Sequence, residues 1–212
     1  MGVFIKTCGL FRDEDINYVN KLNIDFIGFV FVYNSKRKVD ESKAYNLKKK
    51  LNNNIKVVGV FKNSDIDFII NLINKNIIDI VQLHGDENND FIFNLKSKVN
   101  IPIIKSVGVK DRESFDTNYI SDFILLDNYN SGSGNVFDWK YLVDKLDKDN
   151  NFKIEFSKKY FLAGGINVNN IKEALLFKPY CIDLSSGLET NGVKDFNKMK
   201  IISDAVKNNK IY

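Results

Sequence analysis

Cysteine is nearly absent from this chain: 212 residues contain two, Cys8 and Cys181. Two thiols cannot build a disulfide framework and are too few for a structural zinc site, so both are expected to be free. Histidine is scarcer, with His84 alone. No apolar stretch approaches the ~18 residues of a membrane helix. The run Ile69-Ile70-Asn71-Leu72-Ile73-Asn74 is broken by amides. The start, Met1-Gly2-Val3-Phe4, leads straight into an apolar run without the basic, apolar and small-residue regions of an export signal, and Lys6 stands where a myristoylation signal needs Ser or Thr. Low-complexity segments are missing too. These absences predict a cytoplasmic protein with no membrane partner.

Charge of one sign is also lacking, since the formal +4 arises from lysines scattered among acidic residues. The longest basic run, Lys48-Lys49-Lys50, has no interleaved aromatic residues and reads as a solvated helix face, so no nucleic-acid partner is expected.

What is present is a core-forming composition, 44% hydrophobic, in a length that suits one large α/β domain spanning 1–212. Short β-branched and aromatic runs alternate with longer segments of helical period, the pattern of repeated βα units around a parallel sheet. Eight runs predict strands: Val3 to Cys8, Phe26 to Phe31, Lys56 to Phe61, Ile78 to Leu83, Ile101 to Val107, Phe123 to Asp127, Tyr160 to Ala163 and Ile182 to Ser185. Helices are predicted over Asp13 to Lys21, Glu41 to Leu51, Asp65 to Asn74 and Val168 to Phe177, the last capped by Asn167, with a final amphipathic helix opened by Asp195. So many units in so short a chain predict a compact (β/α)₈ TIM barrel, the open doubly wound sheet being the rival. The barrel is favoured because polar and glycine residues are spread evenly over the strand exits: Cys8, His84, Asp127, Gly164-Gly165 and Ser185-Ser186-Gly187.

Cys8 ends the first strand and Asp127 the sixth, so a barrel would offer a thiol and a carboxylate at one mouth. From the residues alone the pair stays ambiguous, because a lone cysteine is often an inert small hydrophobe and a strand-end aspartate often caps the next helix. Alternation puts Lys6 on the face of Cys8, where an ammonium would favour the thiolate, or where it would pair with Asp183 on the neighbouring strand; both can hold. Cys181 begins its strand and is expected about 20 Å from Cys8, beyond the ~7 Å Cα limit of a disulfide. Gly164, Gly165 and Gly187 let backbone N–H groups approach an anion, Ser185 and Ser186 add hydroxyls, and the loops after strands seven and eight are where barrels bind phosphate. Gly132-Ser133-Gly134 lacks the third glycine of a dinucleotide fingerprint, and Val193 stands where a P-loop requires lysine.

Six motifs occur in one order. They are Lys6-Thr7-Cys8-Gly9, Gly28-Phe29-Val30-Phe31 with Ser35-Lys36-Arg37, Val81-Gln82-Leu83-His84-Gly85, Gly132-Ser133-Gly134 with Phe137-Asp138-Trp139, Leu162-Ala163-Gly164-Gly165, and Asp183 to Glu189 continuing through Gly192 to Asp195. Together they resemble the phosphoribosylanthranilate isomerase family of tryptophan biosynthesis. Lys36, Thr7 and Ser131 depart from the family's usual proline, isoleucine and glycine, at positions that concern loop stiffness and packing rather than reacting groups.

The resemblance implies an Amadori rearrangement of N-(5-phosphoribosyl)anthranilate to 1-(2-carboxyphenylamino)-1-deoxyribulose 5-phosphate, with Cys8 as general base, Asp127 as general acid and Arg37 on the anthranilate carboxylate. It implies no metal and no organic cofactor. Asp183 is placed at the mouth by alternation with Ser185, for the sugar hydroxyls, while His84 is read as a hydrogen-bonding neighbour of the site or a helix cap rather than a base. Trp139 and Phe137 are expected to pack the sixth loop against its helix. The partner is a small phosphosugar, and the chain is expected to be a monomer or homodimer. A non-catalytic phosphosugar-binding barrel would be expected to have lost Cys8 or Asp127. The related histidine-pathway isomerase carries aspartate at the place of Cys8 and two similar halves, and no half-to-half repeat is visible here.

Overall fold

A computed structural model describes residues 2–109, 117–128, 139 and 159–208. Eight parallel strands close into a barrel in chain order: β1 Phe4–Cys8, β2 Phe26–Val30, β3 Lys56–Phe61, β4 Ile80–Leu83, β5 Ile103–Val109, β6 Phe123–Asn128, β7 Tyr160–Leu162 and β8 Cys181–Leu184. The doubly wound alternative is thereby excluded, since β1 pairs with both β2 and β8.

All eight expected strands form, β3 with the expected bounds and the others with shifted ends. β5 starts two residues late because Pro102 has no N–H to give the ladder, and it runs on to Val109 alongside Asp127 and Asn128 of β6. The helices Glu41–Lys48, Ile66–Asn74 and Asn89–Lys98 each begin after an Asp or Asn whose side chain accepts an N–H of the first turn: Asp40 from Lys43, Asp65 from Asp67 and Asn88 from Phe91. The helix expected over 168–177 is shorter, Ile171–Leu176. Asn167 is not its cap: its Oδ1 accepts from the Asn169 N–H, and its own N–H donates to Asn170, so the segment before Ile171 is a turn held by two asparagines. The last helix, Phe196–Asn208, follows Asp195 as expected, and Asp195 Oδ1 accepts from the N–H groups of Asn197 and Lys198.

The core has two parts. Between sheet and helices lies a continuous apolar layer that includes Ile5, Ile27, Val57, Val81 and Ile103, and inside the barrel base lies a second cluster built on Phe26, Val58, Ile80, Ile104, Leu125, Phe161 and Cys181. The strand period of two sorts the side chains between them. Inward positions change character with height, from Phe4 through Lys6 to Cys8 on β1, and from Cys181 through Asp183 to Ser185 on and just beyond β8. An apolar floor therefore carries a polar mouth.

The floor is closed by a repeated device. Ile5 N–H donates to Asp25 Oδ2 at 2.9 Å while Asp25 N–H donates back to the Ile5 carbonyl. The same two-bond clamp joins Val57 to Asp79 at 2.7 Å and Ile103 to Asp122 at 2.8 Å. Each aspartate precedes an even strand and holds the start of the odd strand before it. Lysines from the surrounding helices meet the same carboxylates: Lys48 on Asp79, Lys96 on Asp122 and, at 3.9 Å, Lys207 on Asp25. No helix among the described residues is long and apolar enough to cross a membrane.

Candidate active site

The mouth opens into a cavity of about 330 Å³ lined by residues from the ends of all strands but β5. Cys8, Asp127, Gly164, Gly165, Asp183, Ser185, Ser186 and Gly187, all singled out in the sequence, line it together. Arg37 does not line it and lies beside it. Its stem crosses Gly9 so closely that a Cβ there would sit 2.4 Å from Arg37 Cδ. Its Nε and Nη2 donate to Glu189 at 2.6 and 2.7 Å.

Cys8 is partly exposed at the top of β1. Room for its sulfur comes from the neighbouring strand, because a Cβ on Gly28 would lie 2.7 Å from Cys8 Sγ. Below it Lys6, wholly buried, donates to both oxygens of Asp183 at 3.0 and 2.9 Å. Burial works against the Lys6 charge, yet the Asp183 carboxylate outweighs it and holds the ammonium well above the ordinary lysine range. The expected ion pair is therefore present, and Lys6 serves Cys8 as well: burial pushes the thiol up, and the Lys6 ammonium works against that rise without cancelling it. The reading that a nearby ammonium would favour the thiolate thus holds in direction but loses to desolvation.

Cys181 lies in the barrel floor, fully buried, opposite Phe4 in the β1–β8 register. Cys8 is four residues higher, about 13 Å at ~3.3 Å per residue, which corrects the expected 20 Å and still forbids a disulfide.

Across the mouth Asp127 accepts the Asn128 N–H at 2.8 Å, and His84 Nε2 stands 3.5 Å from its Oδ2. The other ring nitrogen is held by two groups that the sequence reading left unassigned, Gln82 Nε2 at 3.0 Å and Ser106 Oγ at 2.9 Å. These two contacts fix the Nδ1 edge of the ring and leave Nε2 facing Asp127. His84 is thus a fixed neighbour of the carboxylate, as expected. Strand alternation from His84 could have pointed to Gln82, but nothing in the sequence signals Ser106, which arrives from β5.

The rest of the rim is built by the loops after β7 and β8. Gly164 and Gly165 have φ of +85° and +68°, in the left-handed region open to glycine. Gly187 passes so near the seventh loop that a Cβ would stand 1.9 Å from the Ile166 carbonyl oxygen. Only a residue without a side chain lets the two loops touch.

Trp139 is buried against Phe177, ring centroids 5.9 Å apart, which places it on the end of the helix after β7. The motif residues Ser131, Gly132, Ser133, Gly134, Phe137 and Asp138 lie outside the described residues.

The chain and its barrel have counterparts among known proteins. The family model for N-(5'-phosphoribosyl)anthranilate (PRA) isomerase matches residues 5–205. The N-(5'-phosphoribosyl)anthranilate isomerase of Endomicrobium trichonymphae is 46% identical over 200 residues, covering 92% of this chain and 94% of its own. The crystal structure of the phosphoribosyl anthranilate isomerase of Thermus thermophilus superposes with a TM-score of 0.83 at 27% identity, over 97% of this chain and 99% of that one. A phosphoribosyl anthranilate isomerase crystallised with reduced 1-(o-carboxyphenylamino)-1-deoxyribulose 5-phosphate gives 0.80 at 27% identity, with the same coverage. With its motifs, closed barrel and near full-length match in agreement, the chain belongs to the N-(5'-phosphoribosyl)anthranilate isomerase family of tryptophan biosynthesis.

Proposed function

We propose that Cys8 and Asp127 are the base and acid of an Amadori rearrangement carried out in this cavity. The observation that carries the reading is their placement: a thiol ending β1 and a carboxylate next to the end of β6 face one cavity whose remaining rim is made by the glycine- and serine-rich loops after β7 and β8. In N-(5-phosphoribosyl)anthranilate, protonated Asp127 gives its proton to the furanose ring oxygen and the C1–O bond breaks, leaving an iminium. The Cys8 thiolate then removes the C2 proton, and the electron pair of that C–H bond flows to the iminium nitrogen to give an enolamine. Proton return to C1 and loss of the enol proton yield the ketone. The iminium is itself the electron sink.

Gly164, Gly165, Ser185, Ser186 and Gly187 hold the 5-phosphate, Asp183 takes a sugar hydroxyl on lone pairs not used by Lys6, and Arg37 meets the ring carboxylate. The histidine-pathway alternative is disfavoured by the thiol itself, which stands where that family carries aspartate.

The test follows the anthranilate fluorescence of enzymatically generated substrate. Cys8→Ser and Asp127→Asn should each lower kcat by at least ~10² with folding preserved, because each removes a group needed only in the transition state. Near-full turnover in Cys8→Ser would move the base elsewhere on the mouth.

A further inference from the structure

Arg37, partly exposed beside the mouth, belongs to a charge cluster whose other two members are buried. Glu189, 8% exposed, accepts Arg37 Nε and Nη2 on its two oxygens, and its Oε1 also accepts from Lys194 Nζ at 2.7 Å. Lys194, 1% exposed, donates in addition to the carbonyl of Ser185, the first residue of the eighth loop. The two partners face each other in a short hairpin, with Glu189–Thr190 paired to Val193–Lys194 and Lys194 opposite Glu189. Burial opposes the Glu189 charge, but the two cations prevail and hold its carboxyl below the ordinary carboxylate range.

Two features of this cluster point toward a ligand. A guanidinium has two edges able to grip a carboxylate; Glu189 fills the Nε/Nη2 edge, and Nη1 has no partner among the described residues, so the Nη1/Nη2 end is left over. Two cations set against one carboxylate also leave a surplus positive charge beside Cys8. Without Lys194, Glu189 would cancel the attraction of Arg37 for an anion; with it, the attraction survives and the guanidinium is still pinned.

We propose that Glu189 is a specificity-determining positioning residue: it grips Arg37 by one edge so that the other meets the carboxylate on the substrate's aromatic ring, and Lys194 offsets its charge. This rests on the reading of Arg37 as the carboxylate ligand. Wild type, Glu189→Gln, Arg37→Ala and the double variant are compared on N-(5-phosphoribosyl)anthranilate and on the analogue made from aniline, which has no carboxylate, with inhibition by inorganic phosphate measured alongside.

Glu189→Gln should raise KM for the anthranilate substrate about 10-fold, change kcat less than about 3-fold, and leave the aniline analogue and phosphate inhibition unaffected. In the Arg37→Ala background it should add nothing further. Equal losses on both substrates would mean a merely structural role and overturn the proposal, as would an additive double variant. An unchanged KM in Glu189→Gln, with a raised KM in Arg37→Ala, overturns it while leaving the Arg37 reading intact. An unchanged KM in Arg37→Ala removes both.

Discussion

At Cys8 desolvation and charge oppose each other, and desolvation prevails. Burial raises the thiol; the ammonium groups of Lys6 and Lys194 lower it and Asp183 raises it again, leaving it above the ordinary value of 9.0. The thiolate fraction therefore grows as pH rises through the alkaline range. The rate of alkylation by iodoacetamide should climb over that range, with its midpoint above that of a free thiol, and kcat/KM of the free enzyme should climb with it. Cys181, fully buried in the floor and raised well above the ordinary value by that burial, should stay unlabelled until the protein unfolds. A labelling rate that is flat from neutral pH upward would show that the lysines prevail.

Individual residues were legible in the sequence wherever an apolar run or a motif fixed their place along a strand, which is why Cys8, Asp127 and the glycines of the last two loops fall on one cavity. Partners supplied across the barrel were not. Ser106 carries no signal of its contact with His84, and the Glu189 grip on Arg37 spans 152 positions of sequence.

At the scale of elements, apolar runs located all eight strands because a buried parallel strand must be apolar on both faces below the mouth. Ends were harder, since they depend on which N–H groups find partners. Pro102 delays β5, and two asparagines hold open the turn before Ile171. The aspartate clamps were invisible for a similar reason, because an aspartate before a strand reads as an ordinary turn residue. Their physical role gives a prediction. Asp79→Ala strips the acceptor from the Val57 N–H and the partner from Lys48, and should cost about 1–3 kcal/mol of stability. In a chain of this size that is a fall in Tm of roughly 2 to 12 °C. Activity per folded molecule should be unchanged, because the clamp lies at the opposite end of the barrel from Cys8. A loss of kcat without a loss of Tm would contradict this division of labour.

Over the whole molecule, the proposed anion site would couple ligand binding to folding, since an anion held between the seventh and eighth loops would tie β7 and β8 together. Inorganic phosphate or a product analogue should therefore raise Tm in proportion to the logarithm of its concentration above Kd. Replacing Gly187 by alanine should abolish that gain, because the added Cβ cannot coexist with the Ile166 carbonyl. Undiminished protection in the variant would place the anion elsewhere.

The clamps also divide the barrel. Each of the three ties an odd strand to the even strand after it, β1 to β2, β3 to β4 and β5 to β6, while β7 and β8 meet through backbone contacts such as the Tyr180 N–H on the Tyr160 carbonyl. Cutting the chain between Asn89–Lys98 and β5 severs no clamp, whereas cutting between β3 and β4 severs one. Two co-expressed pieces divided at the first place should reassemble into an active enzyme more readily than two divided at the second. The barrel is in this sense a ring of two-strand staves, and new combinations of mouth loops could be made by exchanging whole staves.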